Sequence, residues 1–394
     1  CKPTKNVLEG IYYDETPKGA PPQQITQCQQ WGFQRIVPCI DDMTAKCTYT
    51  TTITADKRYT NIISNGDPVG GRKKVGKDRV KMKFDNTITP MSTYLFFLGC
   101  GTYATFTREF EYPSGKKFMI ELLVPPGSKK KIAMHAVDVL YDSIMWIHLF
   151  TGPGKYTNMK QREELWSLIK QRDNTKNKTV LRRKIKQKAA KLKLGYQYTG
   201  KVYREIGMQN SDFGGMENVG NTTITTNRIM PFAEMTDGGL EYMFDVKVHE
   251  FYHNLNGSEV TGRSPFEIWL NEAVTVHIER EFFSFCFGDD YSRLGEVLGI
   301  LAPGRGTLAL DSGVGAMPVE PDGFNDCNEL ITSVTYVKAP EFVKMIQTIL
   351  GKKKFVQGLD LYHRTYKHGN ATRKNWIEAM EKVSGKKLPH MAQG

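Results

Sequence analysis

The segment VKVHEFYHN (246–254) places His249 and His253 four residues apart, with Glu250 directly after the first histidine. A spacing of four puts two side chains on one face of an α-helix, so both imidazoles can bind one metal ion. Glu250 lies beside them, where its carboxylate can take a proton from a metal-bound water. Because His-Glu-x-x-His also occurs by chance, this motif alone indicates only a metal-dependent hydrolase.

A third metal ligand is predicted in the segment FEIWLNEAVTVHIEREFF (266–283), which has the periodicity of a second helix. Its Glu272 lies nineteen positions after His253, far enough for a loop and a helix to bring the carboxylate back to the histidines. Two histidines and one glutamate, with water in the fourth position, form a standard catalytic zinc set. The sequence therefore predicts one Zn2+ per chain, bound by His249, His253 and Glu272.

Two further residues of this helix have weaker signals. His277 lies five residues past Glu272, so it points off that face, and we expect it to pack or to face solvent. Glu279 lies seven residues past Glu272 and returns to the same face. It could accept a hydrogen bond from a ligand imidazole or form a surface salt bridge, and the sequence leaves both readings open.

A loop upstream, DFGGMENVGN (212–221), combines paired glycines with one glutamate. Glycines let backbone donors and acceptors approach a bound peptide closely. Glu217 could then bind the ammonium group of a substrate. Taken without context, the same residues would form an ordinary turn.

The elements that must position these residues change in character along the chain. Strands are predicted within 47–66, 80–84, 92–100 and 118–124, and a helix over 133–150. Further helical patterns cover 242–256, 266–287, 337–350, 353–368 and 374–383. This order predicts an α+β fold, with an N-terminal β domain at 1–112 and a catalytic domain at 113–394.

Charge is concentrated in one segment. The chain of 394 residues has a net charge of +12, but residues 151–200 contain fourteen Lys/Arg and three Asp/Glu. We expect one or two amphipathic helices over 157–193, broken near 174–177, with a solvated basic face. A nucleic-acid or acidic partner, or a membrane surface, would have to bind through this basic insertion at about 152–193.

Seven cysteines in irregular spacing predict free thiols in a reducing compartment, and hence a cytoplasmic location. The longest apolar stretches are far shorter than the ~20 residues that cross a bilayer. No membrane span is therefore expected. The chain begins at Cys1, so the sequence provides no test for a leader.

Taken together, these motifs resemble the aminopeptidase N family of zinc metallopeptidases (gluzincins), and most closely its bacterial alanyl aminopeptidase branch. The resemblance also extends to ITQCQQWGFQR (25–35), VHEFYHNLNGSEVT (248–261) and the region 333–372. It implies a truncated β-rich N-terminal domain followed by a thermolysin-like, mainly helical zincin catalytic domain. Relatives extend beyond both ends, so the chain is expected to be partial.

The resemblance also implies roles for individual residues. His249, His253 and Glu272 would bind zinc, Glu250 would be the general base, and the Tyr336 hydroxyl would stabilise the oxyanion. Substrate would be a peptide with a free N-terminus. Glu217 would bind the α-amine of this peptide. The other residues expected to contact its first residues are Gln29, Gly214, Gly215, Met216, Asn218 and Phe213. Ile331 would lie beside Phe213 in the first specificity pocket.

The sequence departs from the family pattern at several of these positions. Ala273 follows Glu272 where glycine is usual, and Val337–Pro340 replaces the common Glu-Lys-Gly-Ala after the tyrosine. Gln29 is neutral where close relatives often have glutamate, which places more of the amine binding on Glu217.

Three functions remain open from the sequence. The first is a zinc-dependent aminopeptidase, the second a divergent or truncated family member that binds without catalysis, and the third a zinc endopeptidase. The loop at 212–221 argues against the third, because an endopeptidase must leave that side of its cleft open.

Overall fold

The computed structural model describes residues 2–154, 158–314 and 316–388, and shows the α+β fold predicted from the sequence, with a β-rich N-terminal part and a mainly helical remainder. The N-terminal strands are β1 (Gly10–Tyr13), β2 (Gln24–Gln27), β3 (Cys47–Asp56), β4 (Asn61–Ser64), β5 (Asp67–Pro68), β6 (Lys73–Val75), β7 (Arg79–Met91) and β8 (Leu98–Gly101).

These strands form two sheets. One has the order β1-β2-β8-β4, and the other has the order β3-β7-β5, with β6 also paired to β7. The Thr- and Ile-rich β3 pairs antiparallel with β7, from Tyr49 opposite Asn86 to Asp56 opposite Arg79. An Asn-Gly turn follows β4 at Gly66, which has a φ of +88° and no room for a side chain against the Asp85 backbone.

A third sheet supports the helical part. Its order is β12-β13-β11-β10-β9, and β11 runs parallel to both β10 and β13. Because β9 pairs with β10 along its whole length, residues before 112 already belong to this sheet. Its strands are β9 (Ala104–Glu111), β10 (Lys117–Val124), β11 (Val202–Met208), β12 (Gly215–Met216) and β13 (Asn221–Thr225).

The helices pack on this third sheet around one large apolar core. In the described residues, no helix is long and apolar enough to cross a membrane. The helices, with the two-stranded pair β14 (Thr261–Gly262) and β15 (Asn370–Ala371), are α1 (Lys130–Phe150), α2 (Met159–Asp173), α3 (Thr179–Ala189), α4 (Thr226–Ile229), α5 (Asp237–Tyr252), α6 (Ile268–Phe287), α7 (Asp289–Leu301), α8 (Thr307–Leu310), α9 (Ala339–Leu350), α10 (Lys352–Thr365) and α11 (Arg373–Ser384).

The basic segment forms the hairpin of α2 and α3, broken between residues 173 and 179 as predicted. Several of its cations are used inside the structure. Arg172 is buried and donates to the Tyr141 hydroxyl at 2.8 Å, and Arg182 forms an ion pair with Glu111. Other cations, among them Arg183, remain exposed. The hairpin is therefore anchored by some of its charges and solvated through the rest.

Lys46 joins the β-rich part to the helical part. Its Nζ donates to the backbone carbonyls of Ser258 and Glu259 at 3.2 Å each, and to that of Gly369 at 2.8 Å. Two of these carbonyls belong to the loop that follows α5. Because an ammonium donates stronger hydrogen bonds than a neutral group, this contact fixes the loop against the N-terminal part.

We expect Lys46→Met to lower the free energy of unfolding by about 2 kcal/mol, since three carbonyls lose a charged donor while part of the cost of burying the charge is recovered. Urea denaturation followed by circular dichroism measures this difference. Lys353→Met, at an exposed position on α10, is the matched control. Equal midpoints for the two variants would contradict a stabilising role of Lys46.

Candidate active site

Helix α5 positions the two histidines and Glu250. The helix begins at Asp237, where the Thr236 side chain accepts a hydrogen bond from the Gly239 amide at 3.2 Å, and it ends at Tyr252, directly before His253. Helical spacing brings the two imidazoles together, with 2.9 Å between the Nε2 atoms of His249 and His253. The two rings therefore face one point, which is the arrangement that a spacing of four residues on a helix gives.

Glu272 reaches the same point from α6. Its Oε2 lies 3.3 Å from the Nε2 atoms of His249 and His253, and all three residues are buried. A tetrahedral zinc ion with bonds of about 2.1 Å separates its ligand atoms by roughly 3.4 Å. Within the described residues, Glu272 Oε2 has no hydrogen bond of good geometry, although it is buried. The donor set and its spacing therefore fit Zn2+.

The second nitrogen of each imidazole is oriented by a hydrogen bond. His249 Nδ1 lies 2.7 Å from Glu279 Oε2, and His253 Nδ1 lies 2.8 Å from the Asn256 carbonyl oxygen. Glu279 therefore contacts a predicted ligand, the first of the two readings that the sequence left open. His277 instead packs in the core, with its Nε2 2.9 Å from Gln347 Oε1. The contacts at the Nδ1 atoms of His249 and His253 fix the tautomer in which Nε2 is free to bind metal.

The pKa values at this centre reflect buried opposite charges. Burial opposes the charge on His253, but the Glu272 and Glu217 carboxylates outweigh it and raise its pKa to about 9. Burial also raises the pKa of Glu272, but His253 and His249 outweigh it and hold the pKa well below its ordinary value. The site thus favours an anionic glutamate facing a cation.

Glu250 lies beside the three predicted ligands. Burial raises its pKa to about 8, against the opposing effect of His249 and His253. Its Oε2 is buried and has no hydrogen-bond partner among the described residues. Gly215 on β12 packs so closely that a Cβ atom there would overlap Glu250 Oε1. The paired glycines of the loop thus leave room for the carboxylate as well as for a ligand.

We expect Gly215→Ala to lower kcat about 100-fold while zinc content stays unchanged, because the new methyl group displaces Glu250 by about 1 Å. Steady-state hydrolysis of an aminoacyl-anilide, together with metal analysis, measures both quantities. Gly238→Ala is the matched control, since an added Cβ at Gly238 meets nothing within 4 Å. Full activity of Gly215→Ala would contradict the close contact.

Glu217 lies close to the predicted metal ligands, where its carboxylate interacts with His253 and Glu272. It is buried, its Oε1 has no hydrogen-bond partner in the part of the chain described, and burial raises its pKa. Tyr94, from a 3₁₀ turn in the β-rich part, interacts with Glu217 and lies 3.2 Å from the Asn271 side chain. Sequence reasoning missed Tyr94 because its place here depends on how the two parts of the chain pack.

A cavity of about 750 Å³ connects these groups. Tyr336 lines it from a π-helical turn, Val334–Lys338, with its ring centroid 6.3 Å from that of His249. The side chains of Met216 and Asn218 are buried elsewhere: Met216 packs in an apolar cluster, and Asn218 donates to the Thr223 hydroxyl. The other predicted substrate contacts on the cavity wall are Gln29, Phe213, Gly214, Gly215, Glu217 and Ile331.

Two more residues near the metal ligands were not predicted from the sequence. Asn256 is buried, and its Nδ2 donates to the Leu270 and Asn271 carbonyls, which ties the α5 loop to α6. Asp245 lies one helical turn before His249 and lines the cavity. The same spacing of four residues that links the two histidines could have identified Asp245.

The fold and the site define the class: a β-rich domain followed by a mainly helical domain of the metallopeptidase type. Two family models match the chain, the peptidase family M1 domain over residues 177–394 and the peptidase M1 N-terminal domain over residues 3–95. The chain belongs to peptidase family M1.

Relatives named as aminopeptidases are similar to this chain over most of its length. Aminopeptidase N of Escherichia coli (strain K12) is 27% identical over 388 residues, which are 97% of this chain and 38% of that protein. The tricorn protease-interacting factor F2 of Thermoplasma volcanium is 26% identical over 97% of this chain and 41% of its own length. The fold is shared with Legionella pneumophila aminopeptidase A, solved in complex with aspartic acid, at a TM-score of 0.76 and 21% identity, covering 98% of this chain and 38% of that one. The chain thus spans less than half the length of these relatives.

Proposed function

We propose that this protein is a zinc-dependent aminopeptidase that removes N-terminal residues from peptides. The observation that carries the proposal is the buried Glu217 carboxylate beside the predicted ligands His249, His253 and Glu272, with one oxygen unpartnered in the described structure. A buried anion without a donor is costly unless a cation pairs with it. The α-ammonium of a peptide is such a cation, and it would place the first peptide bond at the metal site.

Zinc, when bound to His249, His253 and Glu272, would polarise the scissile carbonyl and lower the pKa of a water molecule towards ~7. Glu250 takes the proton of the attacking water and later donates it to the leaving amine. The Tyr336 hydroxyl donates a hydrogen bond to the carbonyl oxygen as negative charge develops there. Burial keeps this hydroxyl protonated, because it raises the pKa of Tyr336 well above the ordinary value.

The peptide backbone would bind along β12. In the described residues this strand pairs with β13 on one side, and Gly214 and Gly215 line the cavity on the other. An extended peptide can add to such an edge by main-chain hydrogen bonds. Phe213, Ile331 and Gln29 line the same cavity, which supports a neutral, mostly apolar first residue. A cytoplasmic location stays a prediction.

One experiment tests this proposal against its alternatives. The chain is loaded with zinc, its metal content is measured, and hydrolysis of a leucyl-anilide is compared with that of its N-acetylated form. The proposal predicts one zinc per chain and far faster cleavage of the free amine than of its acetylated form. Equally fast cleavage of both forms would indicate an endopeptidase, and bound zinc without any turnover would indicate a binding protein.

A further inference from the structure

We propose that the cavity wall formed by Glu241, Asp245 and Glu279 binds a cationic side chain, arginine or lysine, in the part of the peptide that follows the cleaved bond. The carboxylates of Glu241, Asp245 and Glu279 would hold it. This inference deepens the proposed aminopeptidase function and rests on it for the direction in which the peptide lies.

The spacing of residues on α5 and the position of α6 bring the three carboxylates together. Glu241 and Asp245 precede His249 on α5 by eight and four residues, so all three share one helix face. Glu279 comes from α6 and contacts His249 Nδ1 at 2.7 Å. Glu241, Asp245 and Glu279 all line the 750 Å³ cavity. This acidic wall is therefore continuous with the metal site.

The direction of the peptide follows from the order of contacts along the cavity. The Glu217 carboxylate interacts more strongly with His253 than with His249, and Gly215 packs against Glu250. Gly214 comes next, and a Cβ there would lie 3.1 Å from the Tyr242 hydroxyl. A peptide whose ammonium binds Glu217 and whose first carbonyl lies near Glu250 therefore continues past Gly214 towards the helix turn that carries Glu241.

The Asp245 carboxylate indicates a missing cation. Its Oδ1 is buried, and within the ranges that the structure describes no donor forms a hydrogen bond with it. An unpaired buried acceptor costs about 1–3 kcal/mol. A guanidinium or ammonium group entering from the cavity would satisfy it.

The cations near this wall do not replace such a ligand. Arg280 lines the cavity, but its Nη1 donates to Glu341 Oε1 at 2.8 Å. Arg228 lies over the ring of Tyr242, 4.8 Å from its centroid, rather than against the carboxylates. Glu241 receives a hydrogen bond from the neutral Tyr291 hydroxyl at 2.9 Å. The wall therefore keeps an excess of negative charge.

Binding to a catalytically silenced protein tests the inference. The zinc-loaded Glu250→Gln chain is titrated by calorimetry with amidated tripeptides that begin with leucine. Arginine, or its neutral isostere citrulline, is placed at the second or the third position. We expect arginine to bind at least about 10-fold tighter than citrulline at one of these positions, with the preference weakened by salt. Equal affinity of both peptides at both positions would overturn the inference.

Variants of the wall identify the residues responsible. Adding Asp245→Asn or Glu241→Gln should each reduce the arginine-to-citrulline ratio at least about threefold, whereas Glu163→Gln, an exposed residue of α2, should leave it unchanged. Since each ratio compares two ligands on one protein, a general loss of folded protein cancels. A ratio that persists in both wall variants would overturn the assignment. Hydrolysis of the leucyl-anilide by the unsubstituted chain reports the proposed function separately, because that substrate has no residue on this side.

Discussion

Replacing Glu250 with glutamine is expected to reduce kcat for aminoacyl-anilides by about 10²–10⁴-fold while the zinc content stays near one per chain. Glutamine keeps the size of the side chain but cannot accept the proton of the attacking water, and general base catalysis contributes about 10²–10⁴ to the rate. The metal should remain bound, because the predicted ligands are His249, His253 and Glu272. Steady-state kinetics and metal analysis on the same preparation measure both effects.

A matched control separates the loss of the base from a general effect of removing an acid. Glu378 is exposed on α11, and Glu378→Gln should retain the unsubstituted rate and zinc content. A Glu250→Gln protein that retains a rate within about threefold would refute the mechanism. One that loses zinc along with activity would show that Glu250 stabilises the metal site instead.

The centre of the site was predictable because its signal is local. His249 and His253 lie on one helix, so their spacing alone predicts a shared face, and the structure places their Nε2 atoms 2.9 Å apart. Glu272 required one further step, a loop and a second helix that packs on the first. The α+β order of elements followed in the same way from the change in periodicity along the chain, and the structure and the fold match confirm it.

The surroundings of the site were not predictable from local patterns. Tyr94 interacts with Glu217 only because the β-rich part packs against the helical part, a contact to which Lys46 contributes. Helix α7, which forms part of the cavity wall, was not predicted. Met216 is a neighbour of Glu217 in the predicted binding loop, but its side chain packs in an apolar cluster. Side-chain direction in a loop depends on packing that periodicity does not encode.

Glu217 decides whether the site cleaves from a free N-terminus, and Glu217→Gln is expected to lower kcat/KM for a leucyl-anilide about 100- to 1,000-fold. Removing one partner of a buried charge pair costs roughly 2–5 kcal/mol, because the substrate ammonium is then buried without its counter-charge. The zinc content should not change. The N-acetylated substrate has no ammonium group and is cleaved slowly. Glu217→Gln should therefore lower kcat/KM for this substrate far less than for the free leucyl-anilide.

The acetylated substrate also supplies the contrast that makes this prediction specific. If Glu217 only stabilised the fold through Tyr94, the variant would lose activity on both substrates, and Tyr94→Phe would reproduce the loss. If Glu217 binds the ammonium, Tyr94→Phe should affect KM far less than Glu217→Gln, because the carboxylate and its charge remain in place. Unchanged hydrolysis of the free substrate by Glu217→Gln would exclude the amine-binding role, and with it the reason for assigning an exopeptidase rather than an endopeptidase to this site.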